Sequence, residues 1–468
     1  MAGADTIERL RHFLRELSPK ARSLLIGELE RSLLRGDEPA GTDLILQGLR
    51  QVVRDQREGA PRISNAARLF FKPLEPFLVN DRGDHNYPGR IARSSLEMLW
   101  TWIRRDLLPE DAKVLADEVS EALLANDDSK AERITRGFQD RVVIVIETAF
   151  EAAAFDEKIR QRMLAQIGTP RPNEDATVLK CVLNGRDTLA TLAAHLPLRI
   201  GNLAVGMLDE CKLLIENASA HNGDLFLYAL LTVMSRLTAP WQLIRLGTKA
   251  AGSDTAARVA ETHYGVAVTI VLADLERMVG ELRDELRSGR GVAVAALLKT
   301  IHDSARGLRT ELELPVDSTW GRALSGLRAQ IADLLRTEIE SMPGRVRQLL
   351  RPRPSAEITP NSVLHPEDVT EAEALVEFVD ACRLFANELA VNEMTQRTFA
   401  ELQQYLDGGM RALLDGVRHA GLPDRKFRQS QVDAAVRLCA KVFGPDYASL
   451  LGRAAEVART PQRVAMRA

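Results

Sequence analysis

The sequence is poor in cysteine and in aromatic residues. Of its 468 residues only 4 are cysteine, and 5% are aromatic. Cys181, Cys211, Cys382 and Cys439 lie far apart in the chain, which excludes CxxC redox motifs and zinc-finger spacing. Each lies in an apolar helical pattern, so we expect four buried free thiols. Such thiols suit a reducing compartment, and we therefore expect a cytoplasmic protein.

Local reaction motifs are also lacking. The sequence has no GxxxxGK[ST] phosphate loop and no GxGxxG, GxSxG, HExxH or EF-hand pattern. None of its eight histidines follows a glutamate by three residues, the spacing that di-iron bundles use. We therefore expect no metal, no cofactor and no catalytic residue. A catalytic site assembled from distant residues stays open, although the sequence favours a protein that is not an enzyme.

Long hydrophobic runs and a strong net charge are missing as well. The most apolar run, LFLYALLTVM at 225–234, has about half the length that spans a bilayer, so it predicts a core helix and no transmembrane segment. The N-terminal residues are charged and have no apolar core, so no signal peptide is expected. The formal net charge of -3 gives the whole chain no attraction to nucleic acid, which is not an expected partner.

Helix-forming residues are abundant, and leucine, alanine, arginine and glutamate dominate. They predict an all-α fold of multi-helix bundles with long antiparallel helices; an elongated or solenoid-like arrangement is the alternative. From Ser129 to Pro170 apolar residues recur every three or four positions, which predicts one helix of roughly 35 residues. The β-branched run VVIVI at 142–146 allows a buried strand instead, but the helix formers on both sides favour the helix.

One internal similarity accompanies these helices. LRDEL at 282–286, LRTEL at 308–312 and LRTEI at 335–339 recur at offsets of 26 and 27 residues. A unit of this size is one long helix and a turn, so three units predict an up-and-down bundle. The alternative is coincidence in a chain rich in leucine, arginine and glutamate.

Proline and charge patterns predict the domain organisation. RPRPSAEITPNSVLHPEDVT at 351–370 holds four prolines and no helical stripe, so it is typical of a linker. The prediction is an N-terminal helical domain at 1–126, a central long-helix bundle at 127–350 with the repeats at 265–340, a Pro-rich linker at 351–368, a C-terminal helical domain at 369–458 and a disordered basic tail at 459–468.

The least helix-like stretch is FFKPLEPFLVNDRGDHNYPGRI, residues 70–91. Its prolines prevent a continuous helix, and Pro88 is expected near the start of the next one, with Arg90 and Arg93 in the first turns. Positive charge is unfavourable there. Either Asp81 and Asp84 neutralise it, which makes the stretch a corner between helical layers, or an anion or partner binds. The residues of that second hypothesis are Arg82, His85, Tyr87, Arg90 and Arg93.

A cluster of arginines precedes the Pro-rich linker. It consists of Arg345, Arg347, Arg351 and Arg353. Guanidinium groups bind phosphate and carboxylate in bidentate fashion, so the cluster is a candidate basic patch for an acidic partner. The alternative is a solvated helix end with no partner.

Three functions follow from these patterns. The first is an intracellular, non-enzymatic interaction or scaffolding protein that binds a protein partner, forms a homo-oligomer, or does both, with self-association expected. The second is an enzyme or small-anion-binding protein with its site at the 80–93 loop. The third is a peripheral nucleic-acid or membrane binder that uses the arginines at 345–353. We rank the functions in this order.

Overall fold

The computed structural model describes residues 65–80, 87–288, 292–359, 362 and 364–459, together with Ala21, Leu25, Glu28, Leu29 and Ile45. The predicted all-α fold is confirmed. The named strands of this part are β1, Leu78–Val79, and β2, Ile91–Ala92, which pair in parallel. Within the described residues, no helix is both long enough and apolar enough to cross a membrane.

The chain divides into two compact units. The N-terminal unit takes its described residues from 1–197 and 213–235, and the C-terminal unit takes them from 198–212 and 236–468. The chain therefore passes from one unit to the other at three points. The division drawn from the sequence, into three helical domains, a linker and a tail, stays a prediction.

The helices of the N-terminal unit are α1 to α6 and most of α8. Their bounds are α1 Ala66–Phe71, α2 Ser95–Trp102, α3 Pro109–Leu124, α4 Asp128–Phe155, α5 Glu157–Ile167, α6 Pro172–His195 and α8 Leu225–Arg236. A 3-10 helix, Lys72–Phe77, follows α1, and a π turn, Ile103–Leu107, extends α2. The preceding helix, α7 Val205–Ser219, has residues in both units. The apolar run at 225–234 forms α8 and is largely buried, as predicted.

The predicted helix of roughly 35 residues is wrong in length. The carboxylate of Asp127 caps the start of α4 by accepting a hydrogen bond from the backbone N–H of Lys130 at 2.9 Å. Asp156 ends the helix in extended conformation and accepts hydrogen bonds from the N–H groups of Lys158 and Ile159, at 2.7 and 3.4 Å, to begin α5. An aspartate that caps a new helix thus stops the old one without proline or glycine. The run at 142–146 is helical and not a strand.

The segment from Phe70 to Phe77 joins helices of the N-terminal unit through its aromatic side chains. Phe70 is fully buried, and its ring centroid lies 5.3 Å from that of Trp100 and 5.6 Å from that of Phe138. The buried amide of Gln139 donates a hydrogen bond to the carbonyl of Phe70 at 2.8 Å. The segment therefore packs as a corner between these helices, and neutralisation of the arginines by Asp81 and Asp84, on which the corner interpretation of the sequence depended, stays a prediction.

The C-terminal unit contains the remaining helices. Their bounds are α9 Ile244–Ala251, α10 Ala256–Ala260, α11 Val266–Ser288, α12 Val292–Glu311, α13 Thr319–Leu350, α14 Pro366–Leu384, α15 Ala386–Leu389, α16 Asn392–Arg418, α17 Leu422–Phe443 and α18 Pro445–Arg459. Short 3-10 helices lie at Pro240–Leu243, His263–Gly265 and Ser355–Glu357.

The three similar segments lie in three successive long helices. The first leucine of each, Leu282 in α11, Leu308 in α12 and Leu335 in α13, is fully buried. Helix α11 packs against both α12 and α13. The recurrence therefore marks equivalent core positions of neighbouring helices.

The proline-rich segment after α13 is held against α17. The side-chain amide of Gln431 donates to the carbonyl of Arg351 at 3.0 Å. The Ser355 hydroxyl donates to Asp424 Oδ2 at 2.8 Å. Ile358 is buried. These contacts fix the described part of the segment to the C-terminal unit.

Candidate functional site

The residues predicted at the 80–93 loop are only partly described. Arg82 and His85 lie outside the described residues, as do Asp81 and Asp84 of the competing interpretation. Tyr87 is buried, with 6% of its surface exposed. The anion or partner site at this loop stays a prediction.

Arg90 and Arg93 do not lie in the first turns of a helix, and that prediction is wrong. Arg90 precedes β2, and α2 begins only at Ser95, after two turn residues. Arg90 Nη1 donates to the carbonyl of Pro76 at 2.9 Å. Arg93 Nη2 lies 2.9 Å from Glu75 Oε2, in an exposed ion pair. Both arginines therefore hold the 3-10 helix that precedes β1, and neither lies in the first turn of a helix.

A cavity of about 360 Å³ lies beside this corner, within the N-terminal unit. We call it the apolar cavity. The 3-10 helix, α4, α6 and α8 all contribute to its walls. Its apolar wall residues are Leu69, Pro73, Pro76, Phe77, Leu189, Ala190 and Ala193. Pro73 and Pro76, which prevent a regular α-helix, thus shape one wall.

Two exposed ion pairs also border the apolar cavity. Lys72 Nζ lies 2.5 Å from Glu132 Oε1, and Arg136 Nη2 lies 2.7 Å from Asp187 Oδ1. All four side chains are more than half exposed. Exposed pairs of this kind contribute little to stability, so a charged group of a ligand can exchange with either partner at low cost.

The polar groups in the walls bond mainly within the protein. Thr135 and Thr232 donate their hydroxyl hydrogens to carbonyls of their own helices, both at 2.8 Å. Arg186 Nη2 donates to Asp140 at 2.6 Å, and its Nη1 donates to the carbonyl of Leu183 at 2.8 Å. An occupant therefore gains mainly from burial of apolar surface, and its charged groups find partners among the ion pairs.

The four arginines of the predicted basic patch differ in their surroundings. Arg345 Nη1 lies 2.9 Å from Glu371 Oε1. Arg347 pairs with Glu401, and its guanidinium lies over the ring of Tyr405. The Arg353 guanidinium lies over the Phe427 ring, 5.0 Å from its centroid. Within the described part of the chain, no carboxylate pairs with Arg351 or Arg353.

Two of these arginines line a second cavity, which we call the polar cavity. It lies in the C-terminal unit and has a volume of about 430 Å³. Arg345 and Arg353 line it together with His365, Asp368 and Glu371. Arg347 and Arg351 are not among its walls. The structure thus brings together two of the four predicted residues and separates the other two from them.

The cysteines are free and buried, as predicted. Burial raises the pKa of Cys211 to about 11 and the pKa values of Cys382 and Cys439 to about 12. These thiols are therefore protonated at neutral pH, which suits a core position and not a nucleophile. Among the described residues, no group of three or more histidine, cysteine, aspartate or glutamate side chains is placed to hold a metal ion.

Asp175 is a buried acid near the start of α6, with 6% of its surface exposed. Burial raises the pKa of its carboxyl group. The hydroxyls of Ser95 and Thr169 oppose this effect, as does the nearby Arg171. Neither hydroxyl has a hydrogen-bond partner among the described residues, so burial is the dominant influence on the pKa. The pKa of Asp175 is therefore higher in the folded protein than its ordinary value.

We predict that Asp175→Asn stabilises the N-terminal unit more at neutral than at acidic pH. A raised folded-state pKa means that wild-type stability is highest below the unfolded pKa of Asp175 and falls as pH rises through the folded pKa. The asparagine variant lacks this loss, so its melting temperature relative to wild type should increase from pH 4 to pH 7. Asp117→Asn, at an exposed position of α3, is the control. An equal effect of Asp175→Asn at both pH values would contradict the prediction.

The apolar cavity was not foreseen from the sequence. Pro73, Pro76 and Phe77, which form one of its walls, lie in the stretch that the sequence analysis described as the least helix-like. Its other walls come from α4, α6 and α8, and no spacing rule relates their side chains across so many residues. The small residues Ala190 and Ala193, at helical spacing on α6, are the signal that a groove was available.

The chain matches no protein-family model, no curated protein and no solved structure.

Proposed function

We propose that the protein is a non-enzymatic interaction protein that binds a partner polypeptide in the apolar cavity. The observation that carries the proposal is a cavity with apolar walls and two exposed ion pairs beside it. Its volume of about 360 Å³ lies within the range of ligand pockets. The free, buried cysteines support a reducing compartment, and we place the protein in the cytoplasm as part of this proposal.

The charges beside the cavity favour a polypeptide as the occupant. Each ion pair offers a positive and a negative partner, Lys72 with Glu132 and Arg136 with Asp187. A peptide segment can bury a bulky apolar side chain in the cavity. Charged residues on either side of that side chain can then pair with the charged residues beside the cavity. Self-association, also predicted from the sequence, stays a prediction.

We predict that Ala193→Trp strongly weakens binding at this cavity and that Ala194→Trp does not. Ala193 lies in the cavity wall, whereas its neighbour Ala194 is exposed and outside it. The probe is 8-anilinonaphthalene-1-sulfonate, whose aromatic body and sulfonate match the walls and the adjacent cations. Its fluorescence titration should saturate with wild type and Ala194→Trp. With Ala193→Trp we expect affinity to fall by about tenfold or more, since the indole occupies the site.

A peptide selection then tests the class of ligand. A displayed random-peptide library is selected on wild type and depleted on Ala193→Trp. We expect enriched peptides that share one bulky apolar residue beside charged residues and that displace the fluorescent probe. Saturable probe binding without any enriched peptide would overturn the polypeptide proposal in favour of a small molecule. Absence of saturable probe binding would overturn the site itself.

A further inference from the structure

The polar cavity of the C-terminal unit differs in chemistry from the apolar cavity. It combines two arginines, a histidine and two carboxylates, and the neutral side chains of Gln348 and Ser362 also line it. Its volume of about 430 Å³ is that of a small-molecule site. Convergent polar groups of both signs in one concave site are typical of a ligand with more than one kind of polar group.

Arg353 is the arginine best placed to receive an anion there. Its guanidinium lies over the Phe427 ring, 5.0 Å from the ring centroid, and this contact restricts the side chain. No carboxylate of the described residues lies within ion-pair distance of it, although Asp368 and Glu371 line the same cavity. A stacked guanidinium with open donors is a preorganised oxyanion receptor.

Arg345 brings a second guanidinium from the last turns of α13, and Glu371 accepts one of its hydrogen bonds at 2.9 Å. This pair is about half exposed, so it exchanges partners easily. His365, directly before α14, lies in the same wall and adds an imidazole ring, which can donate a hydrogen bond through a ring N–H. The three side chains come from separate positions of the chain, which suits the three free oxygens of a phosphate ester.

The carboxylates of the cavity limit the ligand. Asp368 and Glu371 offset the two arginine charges, so the cavity has no net formal charge when His365 is neutral. A ligand that carries only anionic groups, such as inorganic phosphate, would be attracted by the arginines and repelled by the carboxylates. A ligand hydroxyl, in contrast, can donate a hydrogen bond to either of them. We propose that the polar cavity binds a small, hydroxylated phosphate ester through Arg345 and Arg353.

The test uses the full-length protein and glycerol 3-phosphate as the probe, measured by titration calorimetry. We expect saturable binding to one site, which Arg353→Gln weakens by about tenfold, the order expected for a lost hydrogen bond to a charged group. Arg345→Gln should weaken binding similarly and gives a second variant if loss of the Phe427 contact affects folding. Arg351→Gln and Arg347→Gln, matched changes outside the cavity, should alter affinity by less than about twofold.

One further variant distinguishes a defined binding site from nonspecific attraction to a positively charged surface. Glu371→Gln removes the carboxylate that competes for Arg345 and keeps a hydrogen-bond acceptor, so we expect tighter binding of glycerol 3-phosphate. Inorganic phosphate should bind more weakly than the ester because it lacks the hydroxylated carbon frame. Equal losses from all four arginine variants, or no saturable binding at millimolar probe, would overturn the proposal. Neither result bears on the apolar cavity, which lies in the other unit.

Discussion

Replacing Phe70 with alanine is expected to lower the free energy of unfolding of the N-terminal unit by about 3–5 kcal/mol. Phe70 is fully buried and contacts the rings of Phe71, Trp100 and Phe138 at centroid distances of 4.9, 5.3 and 5.6 Å. Truncation removes the apolar burial of a whole ring and leaves a cavity among three aromatic neighbours. Calorimetric and urea unfolding of the variant measure the loss.

Phe155→Ala is the matched control for this change. Phe155 is the last residue of α4, and 93% of its surface is exposed. The same chemical truncation there should change the free energy of unfolding by no more than about 0.5 kcal/mol. If both variants lost equal stability, the aromatic cluster around Phe70 would not be the core of this unit.

Replacing Gly321 with alanine should destabilise the C-terminal unit by about 2–4 kcal/mol, from overpacking together with loss of a helix cap. A Cβ at this position would lie 2.0 Å from the carbonyl oxygen of Pro315 and 2.9 Å from Ser318 Oγ. The Gly321 N–H also donates to Ser318 Oγ at 3.0 Å, which caps α13. Because the obstructing atom belongs to the backbone, the first turn of α13 must shift.

The opposite sign is expected five residues later in the same helix. Gly326 is exposed, and a Cβ there meets no atom within 4 Å. Gly326→Ala should therefore stabilise the unit by about 0.5–1 kcal/mol through helix propensity alone. Thermal unfolding of both variants measures the two changes in stability. A stable Gly321→Ala protein would show that the turn from Pro315 to Ser318 adapts without cost.

Helix propensity and apolar spacing were sufficient to predict the fold class. Phe138 and Val142 lie on the predicted stripe and are fully buried in α4. Breaks within helical sequence were harder to predict, because Asp156 ends α4 by capping α5 and the residues on both sides are good helix formers. Capping by an aspartate side chain does not change the spacing of apolar residues, so hydrophobic periodicity does not reveal where such a helix ends.

The candidate sites show the same division. Arginines close in sequence, such as Arg345 and Arg353, could be named as a cluster before the fold was known. Which of them share a cavity depends on where α13 ends and on the position of His365 before α14, and these are tertiary properties. The placement of Arg93 beside Glu75 likewise follows from the pairing of β1 with β2. Strands of two residues are too short to give a recognisable sequence pattern, so this pairing could not be predicted.

The chain crosses between its two units at three points, and these crossings constrain folding during synthesis. The N-terminal unit needs residues 213–235, and residues 198–212 of the other unit come before them in the chain. During synthesis, the first unit therefore lacks a core helix until residue 235 has left the ribosome. A fragment that ends at residue 197 lacks α8, so the residues that α8 buries in the full chain would be exposed to solvent. We expect such a fragment to aggregate.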